Sequence, residues 1–230
     1  MRAWKKGAVL ALVLMVSPVL GYGQAADPAA VAPASAPAGA GVETIVCIRH
    51  GERLSDADGQ GHDLGQLTPQ GLNRALALPK VLLGKYGKPQ FIFAPNPAET
   101  IGSKDGTQSC YVRPLATIEP TAIQCGLPIN AQFGYRDINA LEAELRKPAY
   151  ANATVFVAWE HAWLEKFVRL MVVDLGGDGK TVPPWDSTMK YDAIYLIKIT
   201  TENGQSTVAF SVDHEDLDNQ SQAMPGPAAP

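Results

Sequence analysis

The sequence predicts an α/β fold, a three-layer α/β/α sandwich with a mostly parallel sheet and an antiparallel edge. Three observations predict it. Short apolar runs rich in β-branched and aromatic residues alternate with segments of helical spacing, the pattern of a parallel sheet covered on both faces. Two of those runs stay apolar until they end in a histidine, His50 after the first and His161 after the third. The last two runs are joined by a tight turn at Glu202-Asn203-Gly204, which makes them an antiparallel pair.

Taken in order, Ile45-Val46-Cys47-Ile48 is a buried strand that breaks at once into Arg49-His50-Gly51. Leu54 to Gly65, rich in Asp and Gly, is a loop. Thr68 and Pro69 are an N-cap and a first helical residue. Leu72, Ala75, Leu76, Leu82 and Leu83 follow at helical spacing, with Pro79 expected to kink or divide the helix and Gly84 or Gly87 to end it. Phe91 to Ala94 is a second strand. The Pro/Gly/Ser-rich stretch from Pro95 to Ser109 is a loop expected to overhang the same face as His50. Tyr111 to Thr117 leads into a helix ending near Cys125 at Gly126, and Pro128 to Phe133 fits a short strand. Asp137 to Lys147 places Ile138, Leu141 and Leu145 on one helical face. Thr154 to Trp159 is the third clear strand; it runs into Glu160-His161, and a helix from about Ala162 to Leu175 closes at Gly176-Gly177. Tyr191 to Thr200 and Thr207 to Val212 are the final pair.

The first 25 residues read as a leader rather than as part of the fold. Arg2, Lys5 and Lys6 precede an uncharged apolar run from Gly7 to Leu20, and Gly23-Gln24-Ala25 offers small residues for cleavage. The run is shorter than the ~20 apolar residues of a spanning helix. The expectation is therefore a signal peptide cleaved from a periplasmic or secreted protein, with no stable membrane anchor afterwards. Residues 26–41, almost all Ala, Pro, Gly and Ser, read as a disordered linker, 42–218 as the folded domain and 219–230 as a disordered tail.

The whole chain of 230 residues carries a net charge of -4, and losing the leader leaves 16 basic against 23 acidic residues. That balance excludes the basic footprint of a nucleic-acid binder. The cysteines are Cys47, Cys110 and Cys125. Cys47 reads as a small buried hydrophobe. Cys110 and Cys125 are open to two readings, a disulfide across a short loop or two free thiols, because spacing alone does not fix connectivity.

In a parallel sheet, the strand ends carrying His50 and His161 share one face, the face where open α/β sheets bind ligands. Arg49 lies beside His50, and Arg113 stands at a helix start after the long loop. Two histidines, two arginines and helix N-termini around one crevice make a site for a dianion such as a phosphoryl group. Metal ligation by the histidine pair is the competing reading, but no His-x-x-x-His or Cys-x-x-Cys spacing supports it and the neighbouring arginines repel cations. His62 and His214 lie in polar, acidic loops and stay outside the site.

Ile48-Arg49-His50-Gly51-Glu52 resembles the opening signature of the histidine phosphatase superfamily, whose fold is phosphoglycerate mutase-like. Leu67-Thr68-Pro69-Gln70-Gly71 is similar to that family's Leu-Thr-x-x-Gly helix start. Arg113-Pro114-Leu115-Ala116-Thr117 resembles its Arg-x-x-x-Thr element, and Val155 to His161 looks like the strand carrying its second histidine. The elements stand in the family's order over roughly Val42 to Val212. The resemblance implies a phosphatase that hydrolyses small phosphomonoesters through a phosphohistidine on His50, with no metal or organic cofactor. Arg49, Arg113 and His161 would stabilise the transferring group. The alternatives are a mutase of the same fold and a non-catalytic phosphoryl-binding module.

The resemblance leaves the general acid open, because Ala162-Trp163 follow His161 where one branch of the family carries an acidic residue. Glu160 is the first choice by position, ahead of Glu99, Glu119, Asp137, Glu142 and Glu144; the opposing reading is that Glu160 points away, since neighbours on a strand alternate faces. Ala94-Pro95-Asn96-Pro97 and a long insertion replace the family's Ser-rich segment, and that loop is expected to shape substrate choice. Asn96 there, and Arg53 behind the first motif, complete the phosphate-binding candidates. Trp185 and Tyr191 are expected to pack beneath the site or in the core. The sequence leaves the oligomeric state unknown.

Overall fold

The structure, a computed structural model, describes residues 41–54, 63–103, 106–186 and 189–226. The expected leader, nearly all of the linker, His62 and residues 227–230 lie outside the described residues. Among those described, no helix is long and apolar enough to cross a membrane.

A six-stranded sheet forms the middle layer, in the order β5-β2-β6-β1-β7-β8. β1 (Gly41–Arg49) is paired on both sides, parallel to β6 (Thr154–Trp159) and antiparallel to β7 (Ala193–Glu202). β2 (Phe91–Phe93) runs parallel to β6 and to the two-residue β5 (Ile129–Asn130). β8 (Gln205–His214) pairs antiparallel with β7 and forms the outer edge. The sheet is therefore mostly parallel with an antiparallel edge, as the sequence predicts.

Period-two alternation splits the strand residues between two apolar layers. Ile45, Cys47, Val155, Val157 and Trp159 face one cluster with Leu141, Leu145, Leu164 and Phe167 from α3 (Ile138–Leu145) and α4 (His161–Asp174). Val46, Ile48, Phe156 and Ala158 face the other, with Leu78 and Leu82 of α1 (Pro69–Tyr86) and Ile118 and Ala122 of α2 (Arg113–Cys125). Each such large aliphatic side chain contributes about 1.5–3 kcal/mol by burial. That both faces are covered explains why β1 and β6 read as unbroken apolar runs.

Several elements differ in detail from expectation. Pro79 neither ends nor divides α1, which runs on to its Gly87 cap. Its missing N–H removes one rung, and burial of Leu78, Pro79 and Leu82 holds the helix together across the gap. The stretch after β2 is not all loop: β3 (Thr100–Gly102) and β4 (Gln108–Cys110) form an antiparallel hairpin, too short and polar to show periodicity. α4 begins at His161, one residue earlier than expected, because Glu160 caps that helix. Residues 219–226 carry no regular element, and the Asn73 amide donates to the carbonyls of Ser221 and Ala223. All three cysteines are free thiols, Cys47 and Cys125 buried and Cys110 exposed.

The start of α1 is tied to the loop after β1. Thr68 caps the helix by accepting from the Gly71 amide, and its own N–H and hydroxyl both donate to the Glu52 carbonyl. The two backbones cross in contact. A Cβ on Gly51 would stand 2.9 Å from the Gly71 carbonyl oxygen, and one on Gly71 would overlap the Glu52 backbone. Both glycines of the two sequence motifs are thus required by one close approach.

Candidate active site

The parallel β1–β6 register sets the site. Arg49 is level with Trp159, and the His50 amide continues the ladder to the Trp159 carbonyl at 3.1 Å. His50 and the Glu160-His161 pair therefore leave adjacent strands side by side.

His50 is 1% exposed. Its Nδ1 lies 2.7 Å from the Gly51 carbonyl oxygen. A carbonyl only accepts, so Nδ1 carries the proton and Nε2 keeps its lone pair. The imidazole pKa is driven well below its ordinary value, first by burial, then by the charges of Arg113 and Arg49 and more weakly by His161, against a smaller opposing pull from the Gly51 bond. The result is a neutral ring with a fixed tautomer, set among cations.

Arg49 stacks on Tyr191, its guanidinium carbon 4.1 Å from the ring centroid. Its Nη1 donates to the Lys190 carbonyl at 2.9 Å. Lys190 takes up a left-handed backbone (φ 40°), and the same carbonyl accepts from the Trp185 indole. A bulky residue holds that conformation at a cost, here offset by serving two donors. Arg113 is buried at the start of α2, its guanidinium carbon 4.8 Å from the Tyr111 ring centroid, and Nη1 bonds Asp63. Thr117 joins the two motifs: its hydroxyl donates to the Arg113 carbonyl and accepts from the Gly51 amide at 2.9 Å. The Nε atoms of both Arg49 and Arg113 are buried without a hydrogen-bond partner.

Asp63 and Gly65 clamp Arg113 from outside. Asp63 spans the Arg113 and Arg53 side chains, and the Gly65 carbonyl accepts the Val112 and Arg113 amides. Gly65 is left-handed (φ 68°) with a Cβ position filled by the Cys110 carbonyl, so no other residue fits.

Glu160, the candidate acid, stands at the start of α4 beside His161. One carboxylate oxygen accepts the Trp163 amide at 2.9 Å, and the other lies 2.6 Å from Nδ1 of His161. Burial favours the neutral acid. The contact with His161, its charge and the Trp163 and Ala162 amides outweigh that, and the pKa lies below its ordinary value. A carboxylate held ionised is the opposite of what proton donation at neutral pH requires. Glu160→Gln should keep the cap and lose the ionic contact, costing about 1–2 kcal/mol at neutral pH. Because the folded pKa is depressed, the difference from wild type should shrink as pH falls below 4.5 through the folded value. Thermal melts of both proteins at neutral and strongly acidic pH check this; a gap that persists in acid assigns the loss to something else.

The other candidates separate cleanly. Arg53 bonds Asp63 and the Leu54 carbonyl and acts on Arg49 by charge, so it flanks the arginine pair. Asn96 is not tied to the site by any bond among the described residues: its side chain accepts the Ala98 amide and its N–H donates to Phe133. Glu99 and Asp137 cap loop amides, Glu142 pairs Arg146, Glu144 holds Lys147 and Tyr150, and Glu119 is exposed. His214 is exposed beside Asp192. Trp185 packs on Tyr195, whereas Tyr191 belongs to the site. Sequence reasoning passes over Asp63, Tyr111 and Lys190. Tyr111 carries a signal only in its position two residues before Arg113, and the Lys190 contribution is a backbone carbonyl that no side-chain motif records.

No family model matches the sequence. No curated protein matches it. Among solved structures, the chain is similar to the protein histidine phosphatase SixA complexed with tungstate (17% identity over 75% of this chain and 97% of that one, TM-score 0.48). It is similar to phosphoglycerate mutase from Plasmodium falciparum (14%, 74% and 89%, 0.47). It is also similar to a mutant phosphoserine phosphatase from Entamoeba histolytica in complex with phosphoserine (12%, 76% and 98%, 0.46). These likenesses are distant and carry no argument about activity.

Proposed function

We propose that the domain is a phosphatase that hydrolyses small phosphomonoesters through a phosphohistidine on His50. The observation that supports it most is the state of His50: neutral, its Nδ1–H tied to Gly51, its Nε2 free, between two guanidiniums whose Nε groups have no partner. In the first step Nε2 attacks phosphorus, the P–N bond forms, and the P–O bond to the leaving group breaks with its electron pair. Arg49, Arg113 and His161 meet the charge on the non-bridging oxygens. Glu160, as a carboxylate, holds His161 in place. An activated leaving group such as a phenolate departs without a proton, and an alkoxide takes one from water. In the second step water attacks phosphorus, the P–N bond breaks, and orthophosphate leaves with His50 neutral again.

The leader-like first 25 residues support export, which places the reaction in the periplasm or outside the cell. The ionised Glu160 favours one second reading, a phosphoryl-binding module without turnover. Incubating the domain with an aryl phosphate and quenching into base tests both. The proposed reaction leaves one phosphoryl group on the peptide containing His50, stable in base and lost in acid, together with release of the phenol. If neither forms at acidic or neutral pH while inorganic phosphate still binds, the module reading stands instead.

A further inference from the structure

We infer that the Tyr111 hydroxyl is a further substrate-binding group of this site, donating a hydrogen bond to the phosphoryl group that His50 receives.

Tyr111 follows β4, two residues before the start of α2. Its ring is wholly buried in the core cluster and meets the His50 ring edge-on, centroids 6.1 Å apart. The other side of the ring packs on Tyr135, 5.1 Å away, where a phenylalanine would serve equally well. The hydroxyl oxygen is the exception to this apolar setting. It is buried without a well-formed hydrogen bond, the Arg113 side chain offering only a loose contact, and a hydroxyl so poorly satisfied in the interior is costly enough to be rare. The phenol lies within the fields of Arg113, Glu160 and Arg49, three site residues from three elements. Burial, the first cause, together with Glu160 keeps it protonated against the opposing pull of the arginines, so it is a donor throughout the physiological range. Arg49 Nε, Arg113 Nε and Tyr111 Oη are thus three buried polar groups without a well-formed hydrogen bond, and the charges of both arginines reach the phenol. A tetrahedral oxyanion bonded to Nε2 of His50 offers acceptors to all three. His50 is itself 1% exposed, so any substrate that reaches it has to part the side chains above it, and that opening admits the anion to the hydroxyl as well.

The inference rests on the phosphatase reading. It is tested with Tyr111→Phe in the full chain, measuring ligand-free melting temperature, orthovanadate affinity and kcat/KM for an aryl phosphate. Removing a hydroxyl that makes no well-formed hydrogen bond should leave the ligand-free melting temperature unchanged or raise it, while vanadate affinity and kcat/KM fall about a hundredfold. A variant that binds vanadate and turns over like wild type overturns the inference and leaves the phosphatase reading intact. A variant that loses melting temperature and affinity together also overturns it, because the hydroxyl then supports Arg113 rather than the ligand. Wild type that neither binds vanadate nor releases phosphate removes both.

Discussion

His50→Ala is expected to lower kcat/KM for an aryl phosphate by about a thousandfold or more, equivalent to ~4 kcal/mol of transition-state stabilisation. It should do so with little loss of affinity for inorganic phosphate. The separation follows from the division of labour in the site. The imidazole is uncharged and its one committed bond is to the Gly51 carbonyl, so in the proposed reaction it contributes the attacking lone pair rather than attraction for an anion. Attraction comes from Arg49 and Arg113, which keep their own anchors, Lys190 and Tyr191 for one, Asp63 and Tyr111 for the other. Steady-state kinetics beside a phosphate titration check this. Equal loss of turnover and phosphate binding would mean that the ring is a structural part of an anion pocket and not the nucleophile.

The second large effect is on stability. Arg74→Met should destabilise the fold by about 3–5 kcal/mol, a drop in Tm of roughly 10 °C for a domain of this size. Arg74 is fully buried and lies in contact with four carboxylates: Glu52 at 2.8 Å, Glu215 at 2.6 Å, Asp218 at 2.9 Å and Asp192 at 3.7 Å. Its pKa is raised because the bonds and charges of Glu52 and Glu215 outweigh burial, so it is a permanent cation. Without it the carboxylates lose their counter-charge in a place water reaches poorly, and that is the penalty of breaking a buried pair. Glu215 is the most exacting member. Burial already holds it above the ordinary carboxylate range with Arg74 beside it, and in the variant it is driven further towards the neutral acid. A group whose folded pKa is raised contributes most below its unfolded pKa and loses that contribution as pH rises. The deficit of the variant should therefore be smallest in acid and grow towards neutral pH. Denaturant unfolding at a series of pH values measures it, and a deficit independent of pH would assign the loss to packing alone.

Much of the site is legible in the sequence because strands carry their chemistry at their ends. Arg49, His50 and His161 are found by asking where apolar runs stop, and parallel pairing of β1 with β6 brings them together. Arg113 is found because a helix start after a strand-end loop points the same way. Glu160 is found by position, but its ionisation depends on the amides of the second and third residues of α4 and on the side chain next to it, which a linear reading does not weigh. Asn96 has its side-chain oxygen engaged locally, because an Asn before a turn satisfies the nearby backbone first. Asp63 and Arg74 escape because key partners are tens of residues away. Asp63 meets Arg113 across 50 positions and Arg74 meets Glu215 across 141, and no periodicity connects them.

Glu52, Arg74, Glu215 and Asp218 also bear on where this protein can be cut. Glu52 belongs to the segment that carries His50, whereas Glu215 and Asp218 come after the last strand. Arg74 rivets the two together, so the residues just past His214 act as a buttress behind the loop that follows His50. Truncation, tagging or fusion near that end touches the candidate site from behind, and a design boundary belongs beyond Asp218.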